Sequence, residues 1–212
     1  MRYELLHWNI LDGGGSRLGG IGQLVRARAY DIVTFNELNG VSAGRLRNLG
    51  RAWGYTHSAL LKKSAYHLGV LSRQPLEVVR ADRSDAFAHG LLCARVVGVT
   101  LCVAHLDPHD TERRTAEARE IGAYAASVGG RFMLVGDLNT LSPHDAEAHR
   151  AADLPAVIAA GRYAKALSKK FLDRRSQAPP AAGRPVHTPS HAPSPWRAGG
   201  LLADARTARR AP

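Results

Sequence analysis

The chain has 212 residues, 45% of them hydrophobic, and its 29 Lys and Arg against 18 Asp and Glu give a formal charge of +11. That length suits one sizeable core, and no run approaches the roughly 18 consecutive apolar residues of a membrane span. The N-terminus MRYELLHWNI runs directly into a strand-like segment rather than a signal peptide, so a single cytoplasmic domain without a membrane span is expected.

YELLHWNIL reads as the first strand, with Leu5, His7 and Asn9 on one face and Leu6, Trp8 and Ile10 on the other. Six glycines follow between positions 12 and 22. They lack the Gly-Lys-Ser/Thr ending of a P-loop and read as a flexible turn. Leu18, Ile21, Leu24 and Val25 recur at helical spacing, so a helix is expected to end near Tyr30, before an apolar strand over 32–35 that delivers Glu37 at its exit. Ser42 is placed to cap a second helix carrying Leu46, Leu49 and Trp53, with Gly54 as its stop.

The middle changes character. YHLGVLSR, PLEVVRA, LLCARVV and VTLCVAHL are short β-rich runs separated by turn residues, which predicts an antiparallel meander with a hairpin at Gly98. Cys93 and Cys102 flank that hairpin symmetrically, a placement that would permit a bridge. The reading adopted is two separate buried thiols in a reducing cytosol, with neither a metal spacing nor a disulfide framework. Asp110 or Thr111 opens a helix through Glu117, Ile121 and Tyr124; Gly129 and Gly130 end it before the strand FMLV. A further helix is expected over 156–172, and residues 177–195, dominated by Ala, Pro, Ser, His and Arg, read as loop. Helices and strands alternating around a β-rich centre imply two packed sheets with helices outside.

Charge is unevenly spread. Residues 1–150 carry 18 basic against 15 acidic side chains, whereas residues 151–212 carry 11 against 3. A positive field of this kind attracts polyanions such as DNA, RNA or anionic head groups; a solvated Arg-rich tail would have the same composition. The expected division is a folded domain over 1–172 and a basic Pro/Ala-rich tail over 173–212.

Four apolar runs end in chemistry-bearing side chains: LLHWNILDGG, DIVTFNELNG, VTLCVAHLDPHD and RFMLVGDLNTLSP. Asn9, Glu37, His105, Asp137 and Asn139 are the residue types that metal-assisted attack on a phosphate ester requires. In this order, the W-N, F-N-E, His-Leu and Gly-Asp-x-Asn segments resemble the endonuclease/exonuclease/phosphatase superfamily, metal-dependent phosphoesterases that include pancreatic-type deoxyribonuclease and abasic-site endonucleases. The resemblance is close from about residue 3 to about 145. It implies a four-layer α/β/β/α sandwich of two mixed sheets. The family's late Asp strand and closing Ser-Asp-His-x-Pro motif are not found as such; Pro189-Ser190-His191-Ala192-Pro193 keeps the Ser, His and Pro but lacks the Asp. Residues 199–206, GGLLADAR, look like the stretch that precedes the missing strands, so the fold is expected to stop short of its last strands, with a rewired His187 or His191 as the other reading.

By that resemblance Glu37 is the metal ligand, with Asn9 contributing its amide oxygen or orienting a bound water. Asp137 aligns or deprotonates the attacking water, Asn139 positions that water or a phosphoryl oxygen, and His105 donates to the phosphate. Mg²⁺ is the expected ion, with Mn²⁺ as a substitute. Asp12, Asp107, His109 and Asp145 lie close enough in sequence to join a second metal shell, or are solvated loop residues. Arg113 and Arg114 touch phosphate or form an exposed helix face. The function expected is a metal-dependent phosphoesterase of nuclease type. The alternatives are a catalytically silent homologue that binds nucleic acid, and a phosphatase of small phosphorylated lipids or sugars.

Overall fold

The computed structural model describes residues 2–141 and 146–160. Among the described residues, eight strands form two four-stranded sheets, one in the order β1-β2-β4-β3 and the other β5-β6-β7-β8. The first contains β1 (Leu5–Asn9), β2 (Ile32–Asn36), β3 (His57–Leu61) and β4 (Leu68–Ser72); the second contains β5 (Leu76–Asp82), β6 (Leu91–Val96), β7 (Val99–His105) and β8 (Arg131–Asp137). Each sheet is mixed. β1 runs parallel to β2, and β7 parallel to β8, while the other pairings are antiparallel.

Three apolar clusters separate four layers. Between the sheets lie Ile32, Leu61, Leu68, Val70, Leu92, Leu101 and Val103, with Leu5 and Met133 packed against them. Outside the first sheet, α1 (Leu18–Arg28) and α2 (Ala43–Trp53) bury Ile21, Val25, Leu46 and Trp53 against Val33, Phe35 and Leu71. Outside the second, α3 (Thr111–Ser127) places Ile121 on Phe87, Leu91, Ala104 and Leu106. The strand period of two explains how one β1 serves two layers, with Leu5 facing the intersheet core and Leu6 and Trp8 facing the helices. The expected four-layer sandwich of two mixed sheets is therefore the observed architecture.

Local signals act as read. Ser42 accepts from the Arg45 N–H as the cap of α2, and Gly54, at φ 90°, ends that helix. Asp110 caps α3 by accepting from the Glu112 and Arg113 N–H groups. Val97 and Gly98, both at positive φ, turn the β6–β7 hairpin. Two expectations need correction. The four central runs do not form one meander: β4 joins the first sheet between β2 and β3, because LGVLS is buried at every position and demands a central place with both faces covered. Only β5, β6 and β7 form the meander. The cysteines are not separate thiols. The two-residue turn brings Cys93 opposite Cys102, their Cα atoms 4.0 Å apart, and the two sulfurs are bonded. The helix expected over 156–172 is described only to residue 160, where two short helices stand, α4 (Ala146–Ala151) and α5 (Leu154–Ala159). Residues 173–212 lie outside the described residues, and so do His187, His191 and the 199–206 segment.

What matters for the site is the direction of the two parallel pairs. A parallel pair joined by a helix puts both strand exits on one rim, the usual place for ligands in open α/β sheets. β1 and β2 therefore end together at Asn9 and Asn36, and β7 and β8 end together at His105 and Asp137. The sheets pack β1 against β8 and β2 against β7. Four exits thus meet at one end of the intersheet layer.

Candidate active site

Asn9 is the junction. Its side-chain nitrogen donates to Glu37 Oε1 at 2.9 Å and to Asp137 Oδ2 at 3.1 Å, while its oxygen accepts from the Leu11 N–H at 3.0 Å. This network sets the amide orientation, since two carboxylate oxygens accept and a backbone N–H donates. One nitrogen therefore holds two like charges together. The Asn9 side chain is expected to give its oxygen to the metal or to orient a bound water; here that oxygen accepts from the Leu11 N–H.

Glu37 is only 8% exposed and sits at φ 61°, a left-handed conformation costly for a residue with a Cβ. That twist turns its side chain out of the β2 direction and into the rim. Its second oxygen accepts from the Asp12 N–H at 3.1 Å, and its carbonyl accepts from the Gly13 N–H at 2.7 Å. The glycine-rich turn thus has a specific task, pinning Glu37. Gly13, at φ 68°, passes so close to the Asn39 carbonyl that a Cβ there would overlap it. Asp12 itself accepts from the Asn39 side-chain amide at 2.7 Å and stands at the same rim.

On the opposite sheet, Asp137 has an exposed carboxylate edge, with 37% of its side chain open. Its Oδ1 accepts from the Asn139 N–H at 3.0 Å, and His105 Nε2 lies 4.0 Å from its Oδ2. Asn139, at φ 52° and 4% exposed, donates its amide to the Leu106 carbonyl at 2.7 Å. It therefore ties the β8 exit to the β7 exit. Of the five residues expected from the sequence, Asn9, Glu37 and Asp137 are joined by direct hydrogen bonds, His105 stands against Asp137, and Asn139 holds Asp137 from behind.

Two residues without an assigned part in the sequence are central. Asn36, wholly buried, donates to the Ala104 carbonyl at 2.9 Å and accepts from the Asp137 N–H at 3.0 Å, linking the sheets directly beneath the carboxylates. Its position inside F-N-E was the available signal. His7, on the same strand face as Asn9, lies 2.9 Å from the Thr34 hydroxyl. Burial lowers its pKa to about 4, with nearby Asp137 acting in the opposite direction, so it is a neutral imidazole at pH 7.

The outer candidates divide. Asp107 accepts from the His109 and Asp110 N–H groups at 2.7 and 2.8 Å and shapes the turn into α3, in which His109 takes part through its backbone. Arg114 is not on an exposed helix face: it is buried, donating to the Asp107 carbonyl at 2.8 Å and the Thr111 hydroxyl at 3.0 Å. Arg113 lies 3.8 Å from Asp107 and is partly exposed. Asp145 lies outside the described residues.

A model of the endonuclease/exonuclease/phosphatase family matches residues 6–201. The chain belongs to this family. Solved structures share the fold. An AP endonuclease from Archaeoglobus fulgidus superposes with a TM-score of 0.54 at 18% identity, covering 68% of this chain and 60% of that one. D. rerio TDP2 complexed with a single-strand DNA product gives 0.52 at 18%, covering 69% and 64%. The 3' phosphatase NExo from Neisseria, bound to a product DNA hairpin, gives 0.52 at 17%, covering 65% and 58%. The chain thus spans less than two thirds of the length of each of these relatives. No curated protein matches it. Membership supports a hydrolase of the phosphodiesterase, nuclease or phosphatase type.

The donor set suits a hard divalent ion. No three His, Cys, Asp or Glu side chains converge as a metal site among the described residues. Glu37 and Asp137 bring two carboxylates to one Asn9 nitrogen, and Mg²⁺ commonly takes one or two carboxylates and completes its shell with water and phosphate oxygens. No helix among the described residues is long and apolar enough to cross a membrane.

Proposed function

We propose that this protein is a divalent-metal-dependent phosphodiesterase of nuclease type, using Mg²⁺ or Mn²⁺, with nucleic acid as its substrate. The observation that carries the proposal is the single Asn9 nitrogen bonded to both Glu37 and Asp137, which joins carboxylates from two different sheets. Glu37 is the ligand, held by Asn9 and by the Asp12 N–H; Asn9 becomes a ligand through its oxygen if its amide turns over, and otherwise orients a bound water. Glu37, with Asn9, would hold a divalent ion, which would supply charge neutralisation at the phosphoryl oxygens and at the departing oxyanion.

The chain's own residues do the rest. Asp137, with one oxygen fixed by the Asn139 N–H, accepts a hydrogen bond from the attacking water and orients it in line with the leaving group. His105, beside Asp137, donates to a phosphoryl oxygen as charge develops. Asn139 keeps the two exits in register and lends the water or phosphate a second contact. The charge of +11 favours a polyanionic substrate, and two structural relatives are described as bound to DNA products.

The test is purified protein against plasmid DNA, RNA, bis(p-nitrophenyl) phosphate, a phosphorylated lipid and a sugar phosphate, each with Mg²⁺, Mn²⁺ or EDTA. Metal-dependent cleavage of DNA or RNA is expected, with loss of about 10²- to 10⁴-fold in Asp137→Ala and in Glu37→Ala. Cleavage surviving both substitutions removes the proposal. Salt-sensitive DNA binding without turnover identifies a silent homologue, and turnover confined to lipid or sugar phosphates identifies a small-molecule phosphatase.

A further inference from the structure

His105 faces Asp137 at 4.0 Å, too far for that contact to orient its ring. On its other side His105 packs against two further rings. The His89 ring lies 4.6 Å from it, tilted by 36°, and the Tyr66 ring meets both imidazoles edge-on, at 5.0 Å from His89 and 5.7 Å from His105. His89 belongs to the segment before β6, Tyr66 to the segment before β4, and His105 to the end of β7. Three separate segments therefore converge on one cluster of rings.

That cluster is built rather than incidental. His89 is 8% exposed, and its Nδ1 stands 2.8 Å from the Ser64 hydroxyl, which also accepts from the Tyr66 N–H at 3.0 Å. One serine thus contacts both residues whose rings pack on His105. From α3, the wholly buried Glu117 accepts from the Ala88 N–H at 2.5 Å and from the Asp107 N–H at 2.8 Å. Those are the backbone groups one residue before His89 and two residues after His105, so a single carboxylate joins the two segments that carry the imidazoles. Gly90, at φ 92°, lets the first segment turn inward where a Cβ would lie 2.6 Å from Leu61 and 2.9 Å from the Asp82 carbonyl. His89 Nε2 makes no hydrogen bond among the described residues. A phenyl ring would fill the same space without that burial penalty, but would forgo the Ser64 contact.

We propose that His89 is a positioning residue for His105: clamped by Ser64 and carried on the Glu117 tie, it holds the imidazole beside Asp137 in the orientation that meets the phosphate. Burial lowers the His89 pKa to about 4, with His105, Arg113 and His109 acting in the same sense and Asp107 against. At neutral pH His89 therefore presents an uncharged ring to its neighbour. The inference rests on the phosphodiesterase reading for its kinetic consequence, and on geometry alone for its structural one.

The experiment uses the full chain as wild type, His89→Ala and His89→Phe, with two readouts. By NMR with labelled His and Tyr, ring contacts between His105 and Tyr66 are expected in wild type and His89→Phe, and are expected to disappear in His89→Ala. With bis(p-nitrophenyl) phosphate and Mn²⁺, kcat is expected to fall about tenfold or more in His89→Ala with KM little changed, and to be largely restored in His89→Phe. An unchanged His105–Tyr66 contact in His89→Ala overturns the proposal, even if thermal stability has dropped. A wild type that does not turn over removes the phosphodiesterase reading, and the NMR comparison then decides the positioning role by itself.

Discussion

Replacing Asn36 with Ala probes the joint on which the site is mounted. Asn36 makes two buried intersheet hydrogen bonds, one to the Ala104 carbonyl and one from the Asp137 N–H. The substitution removes both bonds, at about 1–3 kcal/mol for each buried group left short of a partner, so a loss of about 2–6 kcal/mol is expected. For a domain of this size, each kcal/mol moves Tm by about 2–4 °C, which places the fall at about 4–24 °C. Urea unfolding followed by tryptophan fluorescence measures it, with the slope against denaturant unchanged because the same surface is exposed. Asn39→Ala, which removes only the rim contact to Asp12, is the control and should cost about 1 kcal/mol or less. Below the unfolding range, Asn36→Ala should also lower kcat, since the Asp137 backbone has lost its anchor. A loss under about 1 kcal/mol for Asn36→Ala would refute the idea that this pair of bonds holds the two sheets in register beneath the carboxylates.

Three further outcomes follow from the same geometry. Gly136 pairs with Ala104 at φ 154°, and a Cβ there would overlap the Ala104 carbonyl oxygen, so Gly136→Ala should yield insoluble protein or lose more than about 3 kcal/mol, whereas near-native Tm would show that β8 can shift. His7 and His89 each have a folded pKa of about 4 against 6.5 when unfolded; the unfolded chain therefore binds the extra protons, and stability, full above about pH 6.5, should fall as the pH drops toward 4, by up to about 3 kcal/mol per group. Equal urea midpoints at pH 7 and pH 5 would contradict that. Thiol titration of denatured, unreduced protein should find no free cysteine, and Cys93→Ser with Cys102→Ser should cost about 2–3 kcal/mol for a loop this short; two reactive thiols would show that the bridge does not form.

The sequence made the strand exits legible because each apolar run ends abruptly in a polar residue that a core does not tolerate. Asn9, Glu37, His105 and Asp137 were found by that signal, and the chain order of their motifs pointed to the layered fold. β3 was not read, since HSALL carries no alternation and runs into KKS rather than a sharp turn. β4 was placed in the wrong sheet because its continuous burial is a property of where it is inserted, which no local pattern reveals. The glycine-rich turn read as mere flexibility, yet it carries the N–H groups that hold Glu37. Asn36 and Glu117 act through backbone groups distant in sequence, and such partners become visible only when the sheets are assembled. Cys93 and Cys102 illustrate the reverse case. Their hairpin symmetry was plain, and the general expectation of reduced thiols outweighed it.

Titration of Mn²⁺ into the wild type, Glu37→Gln and Asp137→Asn, followed by the EPR signal of the free ion, asks directly whether the two carboxylates serve one cation. One cation held by Glu37, with Asp137 on its bound water, predicts one site per chain, weakened by about 10- to 100-fold in each variant. Identical affinity in all three proteins, or two sites each lost independently, would contradict it.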